Sequence, residues 1–340
     1  MLDVSVIIPV YNAESHLAEC LRSVCGQTLR NIEIICVNDG SSDGSLQILN
    51  EFAQNDSRLT VITQENAGAG AARNHGMRKA RGKYLSFLDA DDFFEPDMLE
   101  KAFCKAESDS ADIVVFKADF YDDKRQSYYP CNYSLREKML PPQRPFSGTD
   151  VERDIFEVIV GWAWDKLFLA EFIRENGILF QEQRTSNDLM FVFSSFAKAE
   201  RITTVSKVLA HQRRQAAGTL SVTREKSWMN FYSALISLRE HLVAWDLYER
   251  FEQDYINYAL QFSLWNLNTL KEPVKEMLYY QLKNAWFDEL GVSSYPKEKF
   301  YYHLEYTQFA VIMNCRYSAL LQKMFGFVQR AWSWARRSLR

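Results

Sequence analysis

The sequence predicts an α/β fold: a mostly parallel sheet flanked by helices, with a C-terminal α-helical region after it. Three observations carry that prediction. Up to Phe116, short apolar runs alternate with stretches of helical spacing. Each of the first four runs ends in a polar cluster. From Trp228 onward Gly and Pro become scarce, and Trp, Tyr, Phe and Leu dominate.

Residues 4–9 (VSVIIP) form a near-continuous apolar run, as in a strand covered on both faces. Residues 14–28 place Leu17, Leu21 and Val24 at helical spacing, and 32–37 (IEIICV) give a second strand. A helix over 45–52, a strand over 59–63, a helix over 69–80 and a strand over 83–88 follow. Pro96 suits the opening of the next helix, and 112–116 (DIVVF) supply a fifth strand. Residues 120–147 break into Tyr, Pro and charge and read as an irregular connection. The division expected is an α/β domain over 1–222 and a helical appendage over 223–340.

The 340 residues are 47% hydrophobic and 25% charged, the composition of a folded chain. A net charge of -4 argues against a globally basic nucleic-acid binder. The six cysteines show no CxxC pair, so buried thiols in a reducing cytoplasm are expected. The start lacks a signal-peptide pattern, and no apolar run is long enough to span a bilayer. Over 321–340, Leu321, Phe325, Val328, Trp332, Ala335 and Leu339 fall on one helical face with arginines beside it. That pattern suits either a helix on an anionic membrane surface or one docked on its own domain. The expected location is the cytoplasm, with the inner face of the cell membrane as the alternative.

In an open parallel sheet, ligands bind beyond the carboxyl ends of the strands. Pro9, Val10, Tyr11, Asn12 and Glu14 lie at or after the first strand's end, and Asn38, Asp39, Ser41 and Asp43 at the second's. The third is followed by Asn66 and Gly68, the fourth by Asp89, Ala90, Asp91 and Asp92. No glycine follows the first strand, so a GxGxxG dinucleotide site fits poorly. Three carboxylates in four positions repel one another unless they reach water or hold a cation. Hard oxygen donors of this kind suit Mg²⁺ or Mn²⁺.

The ordered stretches VSVIIPVYNAE, VNDGSSDGS, ENAGAGAARNHG and YLSFLDADD resemble glycosyltransferase family 2, inverting enzymes of GT-A fold. WDKLF at 164–168 and NDLMF at 187–191 extend the resemblance to about residue 222. It implies transfer of a hexose from a UDP-sugar to an acceptor hydroxyl on a glycan, lipid-linked or protein-bound, in bacterial surface polysaccharide or glycoconjugate synthesis. Pro9, Val10 and Tyr11 would line the base pocket, Glu14 would lie near the ribose, and Asp39 would accept from the uracil imide. Ser41, Asn66, Gly68 and Ala90 fall in the same nucleotide-sugar motifs. Asp89 would contact ribose or sugar, Asp91 would ligate the metal, and Arg73 would position the donor.

The family's catalytic base is the aspartate of a Glu-Asp pair, matched here by Asp188, while Asn187 departs from the pattern. Trp164 would wall the sugar site, with Lys166 fixing its loop. His211 and Arg213 match a segment that closes on the diphosphate and completes the metal shell. Plainer readings stand beside these: Tyr11 capping its strand, Glu14 as a helix-start acid, Arg73 paired with a carboxylate, and Asp188 capping a helix. A sugar nucleotidyltransferase and a non-catalytic adaptor are the alternative functions.

Overall fold

A computed structural model describes residues 2–214 and 220–317. The expected alternation is present as β1 (Leu2–Val10), α1 (Glu14–Cys25), β2 (Ile32–Asp39), α2 (Ser45–Asn55), β3 (Leu59–Gln64), α3 (Ala69–Lys79) and β4 (Gly82–Phe87). Then come β5 (Phe93–Phe94), α4 (Met98–Asp109), β6 (Ile113–Asp122) and β7 (Ser127–Pro130). The middle of the chain gives α5 (Ile155–Val158), β8 (Lys166–Leu169), α6 (Ala170–Glu175), α7 (Leu189–Lys198) and β9 (Ile202–Arg214). The helical region contains α8 (Asn230–Ala244), α9 (Tyr248–Thr269), α10 (Val274–Gln281), α11 (Phe287–Glu289) and α12 (His303–Asn314). Pro96 precedes α4 by two residues, so it ends the approach to the helix rather than occupying its first turn.

The sheet runs β3-β2-β1-β4-β8-β6-β9-β5, with β7 beside β6. Its first four strands are parallel, as expected. Beyond β4 the sheet is mixed, because β8 is antiparallel to both β4 and β6. The expected fifth strand, β6, therefore does not sit next to β4. The intruding strand is the WDKLF segment. It arrives from a long irregular connection rather than a helical crossover, which frees it from the parallel direction. β9 pairs parallel with β6 and antiparallel with β5, and this brings His211 opposite Phe93.

Alternate residues of the buried strands feed two cores. Val4, Val6, Ile8 and Val10 of β1 pack with Leu17, Leu21 and Val24 of α1 and with Leu99 and Ala102 of α4. Ile7, Ile35, Val37 and Phe87 face the other way, onto Ala72, Phe180 and Phe191. The helices after residue 222 share this second core: Phe231, Leu235, Tyr255, Leu260 and Ile312 belong to it. They are not an appendage. Their aromatic surface is too large to leave in water, and one face of the sheet layer accepts it. A polar tie reinforces the join, since Asp254 accepts from the Asp154 backbone N–H and the Tyr301 hydroxyl, both at 2.6 Å. The helix expected over 321–340 lies outside the described residues, as does Thr219 of the segment expected to close on the diphosphate.

Candidate active site

The parallel register brings the ends of β1, β2 and β3 side by side: Val10 pairs with Asn38, and Asp39 with Gln64. Asp39 is buried, and its carboxylate organises the next loop. Oδ1 accepts from Gln64 Nε2 at 2.8 Å and from the Ala67 N–H at 2.9 Å, and Oδ2 accepts from the Gly68 N–H at 2.8 Å. Gly68 needs its glycine identity here, because its φ is +90°. Asn66 Nδ2 donates to the Asp39 carbonyl at 3.0 Å. A carboxylate offers about four acceptor positions, so about one remains on Asp39.

The β1–α1 and β2–α2 loops latch together. Ser41 Oγ accepts from the Asn12 N–H at 3.1 Å and donates to the Val10 carbonyl at 3.4 Å. Glu14 Oε2 accepts from the Gly44 N–H at 2.6 Å, while the Glu14 N–H donates to Asp43 at 3.1 Å. Pro9 is half-buried, Val10 buried, and Tyr11 is 54% exposed just past the strand end.

The other end of the site is acidic. Asp89, Asp91 and Asp92 bring one carboxylate oxygen each to within 4.8 Å of one another, with Ala90 between them buried in the core. Burial, then Asp89, pushes the Asp91 carboxyl up to about 6. Burial followed by the Asp91 and Asp89 charges raises Asp92 well above the usual carboxylate range. Asp92 accepts from the Arg213 N–H at 2.9 Å. Octahedral Mg²⁺ or Mn²⁺ wants oxygens about 3 Å apart in adjacent positions and about 4.2 Å apart when opposed. Three hard oxygen donors converging within 4.8 Å are of the right chemistry for such an ion.

Arg73 joins this cluster to Asn187, the neighbour of Asp188. Its guanidinium donates to Asp89 at 2.5 Å and to Asn187 Oδ1 at 2.7 Å, and lies 5.3 Å from the Phe180 ring centroid. Asn187 thus has a definite role in this chain as the neutral acceptor for Arg73. Two further residues of the α3 motif seat the same segment. Asn74 holds the Phe180 backbone through its Oδ1 and Nδ2, both at 2.9 Å. Gly70 lets the segment close in, because a Cβ there would lie 2.0 Å from the Gln181 carbonyl oxygen. Asp188 stands at the N-cap of α7, yet its side chain makes no capping hydrogen bond. Burial pushes its carboxyl up to about 6, with Arg73 opposing the rise and Asp89 adding to it.

Several expectations need correction. His211 is buried with Nδ1 2.6 Å from Asp119 and Nε2 3.0 Å from Glu95. Both ring nitrogens are spent, leaving no lone pair for a metal beside Asp91. Burial disfavours its charge, but Asp119 and Glu95 outweigh that and raise its pKa. Arg213 pairs with Glu19 at 2.6 Å and with Asp123, over the Phe93 ring, so its side chain is not free for a diphosphate. Trp164 is a core residue stacked 4.8 Å from Trp162, and Trp162 is the half-exposed ring of the two. Lys166 directs its ammonium to the Val160 and Trp162 carbonyls (3.0 and 2.7 Å) and to Asp165, which fixes the loop and leaves nothing for a ligand. Glu14 is likewise engaged by Gly44. The strand-end pattern pointed to Asp92 only as one of three acids, and it did not point to Asn74 or Gly70. Asp92 and Gly70 stand inside quoted motifs, but only packing separates them from their neighbours.

Residues 5–157 match the model of "Glycosyl transferase family 2". EpsH of Bacillus subtilis (strain 168), which bears the name glycosyltransferase, is 31% identical over 292 residues, covering 83% of this chain and 81% of that one. The chain belongs to glycosyl transferase family 2. EpsJ of the same organism, named likewise, is 35% identical over 201 residues, 58% of this chain and 57% of EpsJ, so the chain spans little more than half of that relative's length. Among solved structures, Staphylococcus aureus TarS 1-349 in complex with UDP aligns over 89% of this chain and 93% of that one, with 19% identity and a TM-score of 0.59. At that identity the likeness establishes the fold, a GT-A-like sheet with helices following it. Family 2 membership also accounts for the order of the strand-end motifs along the chain. No helix among the described residues is long and apolar enough to cross a membrane.

Proposed function

We propose that the chain is an inverting glycosyltransferase that moves a hexose from a UDP-sugar to an acceptor hydroxyl in the synthesis of a bacterial surface polysaccharide or glycoconjugate. The observation that carries the reading is Asp188: a desolvated carboxylate at a helix start, joined to the acidic cluster through Arg73 and Asn187, with no capping bond to satisfy. Such a group is suited to take a proton. In the proposed step the acceptor hydroxyl gives its proton to Asp188 as its oxygen attacks the anomeric carbon. The bond from that carbon to the UDP oxygen breaks on the opposite face, and one displacement inverts the centre.

The remaining acceptor position on Asp39 suits the imide N–H of uracil, within a loop set whose backbone is already fixed. Asp89, Asp91 and Asp92 would hold Mn²⁺ or Mg²⁺, which supplies positive charge against the departing diphosphate. The UDP complex of TarS, a protein of the same fold, supports the choice of nucleotide. A glycan, lipid-linked or protein-bound acceptor fits the reading, and the basic pattern over 321–340 supports contact with the inner face of the membrane.

The test is Asp188→Asn. UDP should bind as in the parent protein, while transfer falls by about 10²–10⁴-fold. In the parent, the rate should decline as pH drops through about 6, because only the deprotonated carboxyl accepts a proton. Transfer retained by the variant, with the same pH profile, rules the assignment out.

A further inference from the structure

Beside the segment that leads to Asp188 lies a cleft of about 300 Å³, with Arg184, Lys226, Trp228 and Met229 among its lining residues. That volume is at the small end for ligand sites, which run from about 300 to 1,000 Å³. One wall is the stretch 183–186, and the other is the entry to α8. Arg184 precedes Asp188 by four residues, so their backbones are at most about 14 Å apart.

The walls are stitched together. Gln183 Nε2 donates to the Asn230 and Ser186 carbonyls, both at 3.1 Å, and the Thr185 and Ser227 hydroxyls are 3.0 Å apart. The cleft is therefore a fixed feature joining the catalytic layer to the helical region. Trp228 is held from behind by Trp286, with ring centroids 5.5 Å apart, and Met229 is 53% exposed. Together they give an apolar surface beside a polar floor, which suits the C–H face of a sugar ring.

The cations decide the chemistry. Arg184 is exposed and spends one N–H on the neutral Thr223 hydroxyl at 2.7 Å. Lys226 is exposed as well. Neither is in an ion pair among the described residues, whereas Arg73 and Arg213 at the catalytic end are both neutralised. Two uncompensated positive charges in one small cleft attract an oxyanion. The donor diphosphate already has its own place at the acidic cluster, so this pair is left for the second substrate.

We propose that the cleft is an acceptor subsite for an oxyanion-bearing sugar, with Arg184 and Lys226 binding the anion and Trp228 and Met229 supporting the ring. The inference rests on the glycosyl-transfer reading and narrows its acceptor to an anionic one.

Saturation-transfer NMR on the full chain, with UDP and Mg²⁺ present at saturation, tests it using glucose 1-phosphate, glucuronate and glucose as probes. UDP binding is checked first, and its failure would count against the glycosyl-transfer reading whatever the cleft does. Glucose 1-phosphate should bind at least about tenfold more tightly than glucose, and Arg184→Ala with Lys226→Ala together should remove that advantage. Arg184→Lys, which keeps the charge, should restore part of it. Glucuronate that binds like glucose 1-phosphate makes carboxylated sugars the source of the anion; glucuronate that binds like glucose makes it a phosphate. Either result supports the subsite. Equal binding of glucose and glucose 1-phosphate, no detectable binding of either anion, or parent-like affinity in the double variant overturns it.

Discussion

Asp39 and Asp91 belong to the ends of the two strands that flank β1, and they live in opposite circumstances. Asp39 accepts three hydrogen bonds from the loop it organises, and its charge is shared among donors the backbone already supplies. Asp91 is crowded by Asp89 and Asp92, and its carboxyl is pushed up to about 6. One end of the site is complete in the protein alone. The other stores repulsion that a bound cation would release. Acidic residues at strand ends therefore carry no single meaning: the donors around them determine whether a charge stabilises the fold or burdens it.

Three substitutions sharpen this contrast. Asp39→Ala orphans the donors of Gln64, Ala67 and Gly68, and should cost roughly 3 kcal/mol in urea unfolding together with most of the UDP affinity. Unchanged stability would mean that the loop does not depend on that carboxylate. Asp91→Asn should have the opposite sign. Asp91 holds its proton more tightly in the fold than its ordinary 3.8, so its contribution to stability is present below that value and is lost as pH rises to about 6. With EDTA at pH 7.5, Asp91→Asn should therefore be more stable than the parent by roughly 1–3 kcal/mol, and the difference should shrink at pH 4. Mn²⁺ should raise the unfolding midpoint of the parent and not that of the variant. Glu14→Ala should be the mildest, at about 0.5–1 kcal/mol, since its bond to the Gly44 N–H is solvent-exposed. A loss as large as that of Asp39→Ala would show the interloop latch to be as important as the buried carboxylate.

The same comparison explains why the helical region matters to the site. Its aromatic residues complete the second core, and the entry to α8 forms a wall next to the segment carrying Asp188. A change in that core, such as Phe231→Ala, would reach the cleft through α8 without touching Asp39, the acidic cluster or Asp188.

Local pattern was enough to set β1 to β4, α1 to α4, the core of β6, the polar ends of β1 to β4 and the acidic run after β4, whereas β5, β7 and the extension of β6 to Asp122 fell in stretches that read as turn or irregular connection. The former follow because buried strands read as apolar runs and turns are polar. The tertiary structure alone decided that β8 enters antiparallel between β4 and β6, that Trp164 faces the core, and that His211 is taken up by two carboxylates. It also gave Asn187 its place as the partner of Arg73. Those outcomes depend on contacts across 114 positions for Arg73 with Asn187 and 116 for His211 with Glu95. A side chain's availability is set by what packs against it, and short-range spacing holds no record of neighbours so far along the chain.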